Sequence, residues 1–575
     1  MSTYFDSRDP ACKSPFGAVP CGTEVSFAVF CTDEENIVSG ALHVTEEFAG
    51  REQTVPLTLS GGAWRCVYAA PRRPELAWYR FSLRRRSGET VTLAQRQLTV
   101  YEEYGAAPDW FGRGVSYQIF PDRFCRSRVP DPAGLVGDRT VHENWQDTPE
   151  FRPDERGEIR NRDFFGGDLA GIISKLDYLK SLGVTTLYLN PIFEAASNHR
   201  YNTADYMAID PMLGTAEDFR ALCREAHARG MRVLLDGVFN HTGDDSLYFN
   251  RYGRYDSVGA YQSPDSPYAG WFTFERFPDK YKCWWGVDTL PEVNKDNEDY
   301  RRFILAEDGV ARRWMRAGTA GWRLDVADEL PMRFLRDLRT AVRTQDAQAA
   351  LLGEVWEDAS NKVSYGAQRC YCLGDTLDSV MNYPLRKAAI GFVTGTLDAY
   401  AFCRMVESLR ENYPLPFFYS LMNLMGSHDR ARLLNVLAGE TWEQVDPLER
   451  GGCRLSDAQR ALAIRRLAEM WKLYAALPGM PSVYYGDEAG MEGAADPFCR
   501  FPYPWGREDA QVMTITREAL ALRASRPILR RGALQLHPID RDTVRIRRFA
   551  YAGCDVFGEP LDDAEFEINV HAIHA

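Results

Sequence analysis

Two short apolar runs in this chain each carry a carboxylate at the C-terminal end: Gly321-Trp322-Arg323-Leu324-Asp325-Val326 and Leu351-Leu352-Gly353-Glu354-Val355-Trp356. Runs of this length and composition read as buried strands, and parallel barrels keep their chemistry at the C-terminal ends of such strands. Two acids so placed are the equipment for cleaving an acetal between sugars. One carboxylic acid protonates the leaving oxygen, and one carboxylate attacks or stabilises the anomeric carbon. Either residue alone is a weak sign, because a strand-terminal acid often only caps the next helix.

Four other segments strengthen the case, since they put polar residues where packing alone would not. They are Leu235-Asp236-Gly237-Val238-Phe239-Asn240-His241, Asn423-Leu424-Met425-Gly426-Ser427-His428-Asp429, Asn198-His199-Arg200-Tyr201-Asn202-Thr203-Ala204-Asp205-Tyr206 and Tyr484-Tyr485-Gly486-Asp487-Glu488. His199, His241 and His428, three of the nine histidines, fall in these pieces.

The elements that must position these groups are legible as a period. From Val115 onward apolar strands alternate with amphipathic stretches, which signals βα units around a parallel sheet. Strands are expected at Val115 to Pro121, Thr185 to Pro191, Arg232 to Val238, Gly321 to Val326, Leu351 to Val355, Ser379 to Pro384, Tyr419 to Gly426 and Ser482 to Gly486. Helices are expected at Gly171 to Leu182, Ala216 to Arg229, Arg301 to Ala317 and Ser456 to Ala476. Eight such units predict an α/β fold, a closed (β/α)8 TIM barrel over residues 106–520. The gap between the third and fourth strands is far longer than a plain βα unit needs, so a subdomain is inserted at about 241–298. It is rich in rings, among them Tyr248, Tyr252, Trp271, Phe272, Trp284 and Trp285, which either stack on sugar faces or form the insert's own core. Residues 1–105 alternate in short runs broken by Gly and Pro and predict an N-terminal β-sandwich. Its Trp64, Trp78 and Tyr79 could bind sugars but more often such rings are core. Residues 521–575 leave room for a short C-terminal β domain.

A formal net charge of −13 disfavours nucleic acid or an anionic membrane as a partner. No segment has the length and apolarity of a membrane span, and the first residues lack a basic region followed by an apolar run. Thirteen cysteines without a C-x-x-C pair read as reduced thiols. A cytoplasmic location is therefore expected.

With Tyr117-Gln118-Ile119-Phe120-Pro121-Asp122-Arg123-Phe124, Phe164-Phe165-Gly166-Gly167-Asp168-Leu169 and Leu290-Pro291-Glu292-Val293-Asn294 added, the chain from about Val115 to Glu488 resembles the α-amylase family of glycoside hydrolases (family 13). It is most similar to the neopullulanase, cyclomaltodextrinase and amylopullulanase-like branch. The resemblance implies a retaining hydrolase of α-glucosidic bonds, in a branch whose members cut α-1,4 bonds, α-1,6 bonds or both, acting on maltooligosaccharides, cyclodextrins, pullulan or glycogen- and starch-derived dextrins. It implies Asp325 as nucleophile, Glu354 as general acid/base and Asp429 as the third catalytic carboxylate, which binds ring hydroxyls. Tyr201, His241, Arg323, Trp356 and His428 match substrate-binding positions, and Asp236 matches a supporting acid that orients Arg323. No organic cofactor is implied, and a homodimer is a possible assembly.

Departures from the pattern are equally specific. Asp328-Glu329 stands where many members have Lys-His, and Glu357, Arg430 and Asn202 replace other common residues. The branch's calcium loop follows the first strand. Asp168 and Gly166 match it, but Arg126 and Arg128 stand where oxygen ligands would, which a hard cation does not tolerate. The loop thus weighs against Ca2+. Two rival readings share the resemblance: a transglycosylase with the same glycosyl-enzyme intermediate, and an inactive carbohydrate-binding relative. The second would normally lack one of the three carboxylates.

Overall fold

The structure is a computed structural model that describes residues 3–32, 36–103, 107–153, 155 and 159–575. The expected boundary at 105/106 lies outside the described residues. The chain forms two units: residues 1–107 with 356–379 and 404–420, and residues 108–355 with 380–403 and 421–575.

In the first unit, long antiparallel strands including Glu24–Cys31, Ile37–Glu46, Arg51–Ser60, Ala63–Ala69 and Glu75–Arg85 form a ten-stranded sheet. Alternating residues Val25, Phe27, Val29, Leu42, Val44, Tyr79 and Phe81 point into one core. Trp64 and Tyr79 are buried there, as most strand aromatics are. Residues 356–379 and 404–420, which the sequence pattern assigns to the barrel, are tied to these strands instead. Gln97 Nε2 donates to Ser360 Oγ (2.9 Å) and Thr99 Oγ1 to the Asn412 carbonyl (2.7 Å).

The second unit contains the barrel strands apart from Ser379, which the division places in the first. They are β1 (Ser116–Ile119), β2 (Thr186–Leu189), β3 (Arg232–Gly237), β4 (Gly321–Leu324), β5 (Ala350–Gly353), β6 (Ser379–Val380), β7 (Met422–Leu424) and β8 (Met480–Tyr484). Neighbours run β6-β5-β4-β3-β2-β1-β8-β7. The ring closes where Met381 bridges Met422 in parallel and Asn382 N–H donates to the Met422 carbonyl at 2.8 Å. All eight expected strands are present; the first seven are shorter than expected, and the eighth is as long but begins two residues earlier, at Met480. Gly321 starts β4 with φ +151, and a Cβ there would sit 2.0 Å from the Ala350 carbonyl oxygen, so only glycine lets β4 and β5 meet.

Helices follow their local signals. Ala216–Ala228 begins in a capping box between Thr215 and Asp218, and Asp457–Ala476 in one between Ser456 and Gln459. Two expected helices are each a pair instead: 171–182 is Leu169–Ser174 and Leu176–Ser181, and 301–317 is Glu298–Leu305 and Val310–Ala317. A Cβ at Gly309 would lie 2.8 and 2.9 Å from the Phe303 and Ile304 carbonyl oxygens, so the break between the two helices needs glycine. The inserted segment packs its own core of Tyr248, Phe249, Trp271 and Phe272. At the C-terminus, Ala533–Pro538, Thr543–Phe549 and Glu565–His571 form a three-stranded antiparallel sheet. The helix Ala510–Ser525 runs across the expected 520/521 boundary. Among the described residues no helix is long and apolar enough to cross a membrane.

Candidate active site

The site is assembled by strand register. β3 pairs with β4 so that Asp236 lies opposite Arg323, and β4 pairs with β5 so that Leu324 lies opposite Gly353. Arg323 and Asp325, two apart, share a strand face. Asp325 and Glu354 therefore emerge side by side just beyond the ends of β4 and β5. Glu354 N–H donates to the Leu324 carbonyl at 3.0 Å, continuing the ladder by one residue.

One guanidinium gathers the carboxylates. Arg323 Nη1 donates to Asp325 Oδ1 (2.7 Å) and to both oxygens of Asp236 (2.8 and 3.0 Å), while its Nη2 lies 2.9 Å from Glu354 Oε2. Asp236 is held from its other side by the hydroxyls of Tyr188 (2.7 Å) and Tyr201 (2.8 Å). The expected supporting role of Asp236 thus has its contacts. Asp325 and Glu354 are 7 % and 6 % exposed. Burial opposes the charge of Arg323, but Asp236 and Glu354 more than offset this and hold it ionised. For Asp325 the balance differs. Burial raises its pKa well above the ordinary carboxylate range, Arg323 pulls it down, and Glu354 and Asp236 push it up again. Arg323 is thus a cation shared among three acids, not one devoted to the nucleophile position.

The three histidines are neutral. Burial lowers His241 to about 3, with Lys295 adding to the effect, and holds His428 and His199 far below the usual imidazole value, with Arg500 adding to both. Gln118 Nε2 sits 2.9 Å from His428 Nδ1 and His428 Nε2 sits 3.2 Å from Asp429 Oδ1. That arrangement assigns the proton to Nε2. Tyr201 stacks on the His428 ring at 5.1 Å and 7°. Asn240 approaches His241 Nδ1 at 3.3 Å, while the buried Nε2 of His241 has no partner among the described residues. A neutral ring so held presents an N–H donor, suited to a hydroxyl oxygen.

The register and the β7 end therefore bring Asp325, Glu354, Asp236, Arg323, Tyr201, His428 and Asp429 into one connected set, with His241 stacked on Trp284 in the same unit. Trp356 belongs to the first unit and is 39 % exposed.

Residues of the loop that matches the branch's calcium site, already doubtful from its arginines, do not fit a cation. Asp168 Oδ1 caps the helix Leu169–Ser174 through Gly171 N–H (2.5 Å), and its Oδ2 accepts from Ser127 N–H (3.1 Å) and Oγ (2.6 Å). Gly166 N–H donates to Asp122 Oδ1 (3.0 Å). Arg126 donates to the carbonyls of His142 (3.0 Å), Phe165 (3.3 Å) and Glu143 (2.6 Å), filling the loop with its own positive charge. Among the described residues no group of three or more His, Cys, Asp or Glu is arranged to hold a metal.

Sequence reasoning missed Arg500. It is buried, donates from Nε to the His428 carbonyl (3.0 Å), pairs with Asp496 (2.7 Å) and lies 3.6 Å from Asp429. It comes from an irregular loop after β8, where neither period nor strand end marks it. Gln118, whose Nε2 donates to Asn190 Oδ1 (3.1 Å), and Asn190, whose Nδ2 donates to the Tyr201 hydroxyl (2.9 Å), are further site residues that sequence reasoning missed, although a polar side chain inside an apolar strand or at its end was the available signal.

The family model for the alpha amylase catalytic domain matches residues 118–526. The chain is 35 % identical over 625 residues to an amylopullulanase of Thermoanaerobacterium saccharolyticum, covering 97 % of this chain and 47 % of that protein. It is 35 % identical over 473 residues to neopullulanase 2 of Thermoactinomyces vulgaris, covering 79 % of this chain and 71 % of that one. Among solved structures, the type III pullulan hydrolase from Thermococcus kodakarensis superposes with a TM-score of 0.68 at 26 % identity, covering 99 % of this chain and all of that one. The chain spans less than half the length of the amylopullulanases it matches.

Proposed function

The chain belongs to the alpha-amylase family, and from that premise we propose that it hydrolyses α-glucosidic bonds of glucans with retention of configuration. The observation that carries the reading is the single guanidinium of Arg323 in contact with both Asp325 and Glu354. Two acids on adjacent nitrogens of one group flank a single bond, as double displacement requires.

In the first half-reaction the Glu354 carboxylic acid gives its proton to the glycosidic oxygen as that oxygen leaves with the departing sugar. An Asp325 oxygen forms the bond to the anomeric carbon as the C–O bond breaks. In the second, the Glu354 carboxylate takes a proton from water, the water oxygen bonds to the anomeric carbon, and Asp325 leaves. Asp429, His428 and His241 hold hydroxyls of the reacting sugar, and Tyr201 stacks beneath it. The substrates are maltooligosaccharides, cyclodextrins or pullulan, the last in keeping with the names of the relatives.

These steps use no organic cofactor, and Arg126 supports a loop that works without calcium. The thirteen cysteines include no C-x-x-C pair, which supports a reducing compartment, the cytoplasm.

The test is to incubate the protein separately with maltotriose, pullulan and β-cyclodextrin, size the products, and follow the first-formed anomer by proton NMR. Reducing sugars released first as the α anomer are expected. A β anomer formed first, or no product from any of the three, overturns the reading.

A further inference from the structure

Trp285, at the edge of the inserted segment, is 78 % exposed. Its backbone lies in the left-handed region (φ 48, ψ 29), which a bulky side chain rarely occupies. The surrounding loop imposes that conformation. Trp284 N–H donates to the Leu290 carbonyl (3.0 Å), Val287 N–H to the Trp284 carbonyl (2.9 Å) and Glu292 N–H to the Lys282 carbonyl (3.0 Å). A strained residue held firmly by its neighbours, with a large apolar ring turned to water, marks a working surface.

Two more contacts say what the ring is for. Trp285 stacks on Trp284 at 5.3 Å and 21°, and Trp284 stacks on His241 at 5.4 Å and 25°. A column of roughly parallel rings thus runs from the buried His241 to solvent. The Trp285 indole N–H also donates to Glu329 Oε1 at 3.1 Å. Glu329 ends the turn Ala327–Glu329, which starts at Val326, the residue whose N–H is bonded to Glu354. One short turn thus links Trp285, through Glu329 and Val326, to Glu354, the acid assigned to the departing oxygen.

We propose that the outer face of Trp285 is a platform for a glucosyl unit of the departing chain, beyond the bond that is cut, with Glu329 setting the tilt of the ring. A pyranose offers a face of C–H groups that an aromatic ring covers well, and a fixed ring loses little entropy in doing so. The inference rests on the hydrolase reading above and adds a specificity-determining residue to it.

The experiment compares wild type with W285A and W285F on maltohexaose, which extends across the departing side, and on α-maltosyl fluoride, which has no sugar there. For W285A the ratio of kcat/KM on maltohexaose to kcat/KM on the fluoride is expected to fall about tenfold, with W285F keeping most of it. An unchanged ratio in W285A overturns the platform, as does an equal loss on both substrates. Wild type inactive on both substrates would instead defeat the hydrolase reading itself.

Discussion

The backbone N–H of Val326 donates to Glu354 Oε2 at 2.9 Å, and it does so from a left-handed conformation with φ 40. For a β-branched residue that conformation costs about 1–3 kcal/mol. The strained turn after Asp325 therefore anchors the neighbouring acid. Val326→Gly should relieve the strain while loosening Glu354. We expect kcat to fall about tenfold with no loss in thermal midpoint. A lower midpoint with unchanged kcat would show that the turn serves folding only.

Asp325→Asn and Glu354→Gln should each lose at least about a thousandfold in kcat while keeping native circular dichroism. Glu354→Ala should recover with added azide on a substrate whose leaving group needs no proton, because azide replaces the water that Glu354 no longer activates. Near-normal turnover by Asp325→Asn would remove the nucleophile assignment.

Arg323 is the only cation hydrogen-bonded to Asp236 and Asp325 among the described contacts. Arg323→Met leaves buried acids without it and should cost about 3–5 kcal/mol of stability at neutral pH. The sign of the pH effect follows from the raised values of Asp325 and Asp236. An acid whose pKa is raised by folding binds its proton more tightly when folded, so stability is gained as pH falls through the raised value toward the ordinary carboxylate range. Urea midpoints of the variant should rise from pH 7 to pH 5. A midpoint that falls over that interval contradicts the arrangement.

Because burial holds His241 near 3 and His428 far below its usual value, neither ring gains a proton in the working pH range. The acid limb of the kcat/KM profile should belong to carboxyl groups. His241→Asn and His428→Asn are expected to lower kcat/KM about tenfold or more without moving that limb. A limb that shifts in either variant would return the titration to the histidine.

Arg126 spans three carbonyls and Asp168 is fully engaged by Ser127 and Gly171. Excess EDTA should leave both activity and the thermal midpoint unchanged. Arg126→Met, which strands those carbonyls, should lower the midpoint by the equivalent of about 1–3 kcal/mol. Loss of activity in EDTA, restored by calcium, would sink this view of the loop.

The barrel and its acids were legible because their signals are local. A carboxylate ending an apolar run, as at Asp325 and Glu354, and eight such runs alternating with helices, are facts of neighbouring residues. So were the capping boxes at Thr215 and Ser456. Folding decided what depends on residues far apart in the chain. The register of β3 on β4 set Asp236 against Arg323, and so divided one positive charge among three acids. Arg500 reached Asp429 from some seventy residues away. Burial, a property of the packed chain alone, turned the histidines into neutral donors. Residue types and short spacings thus chose the chemistry, while partnership, charge and tilt were left to long-range packing, because each is an energy between groups that only the folded backbone brings within reach.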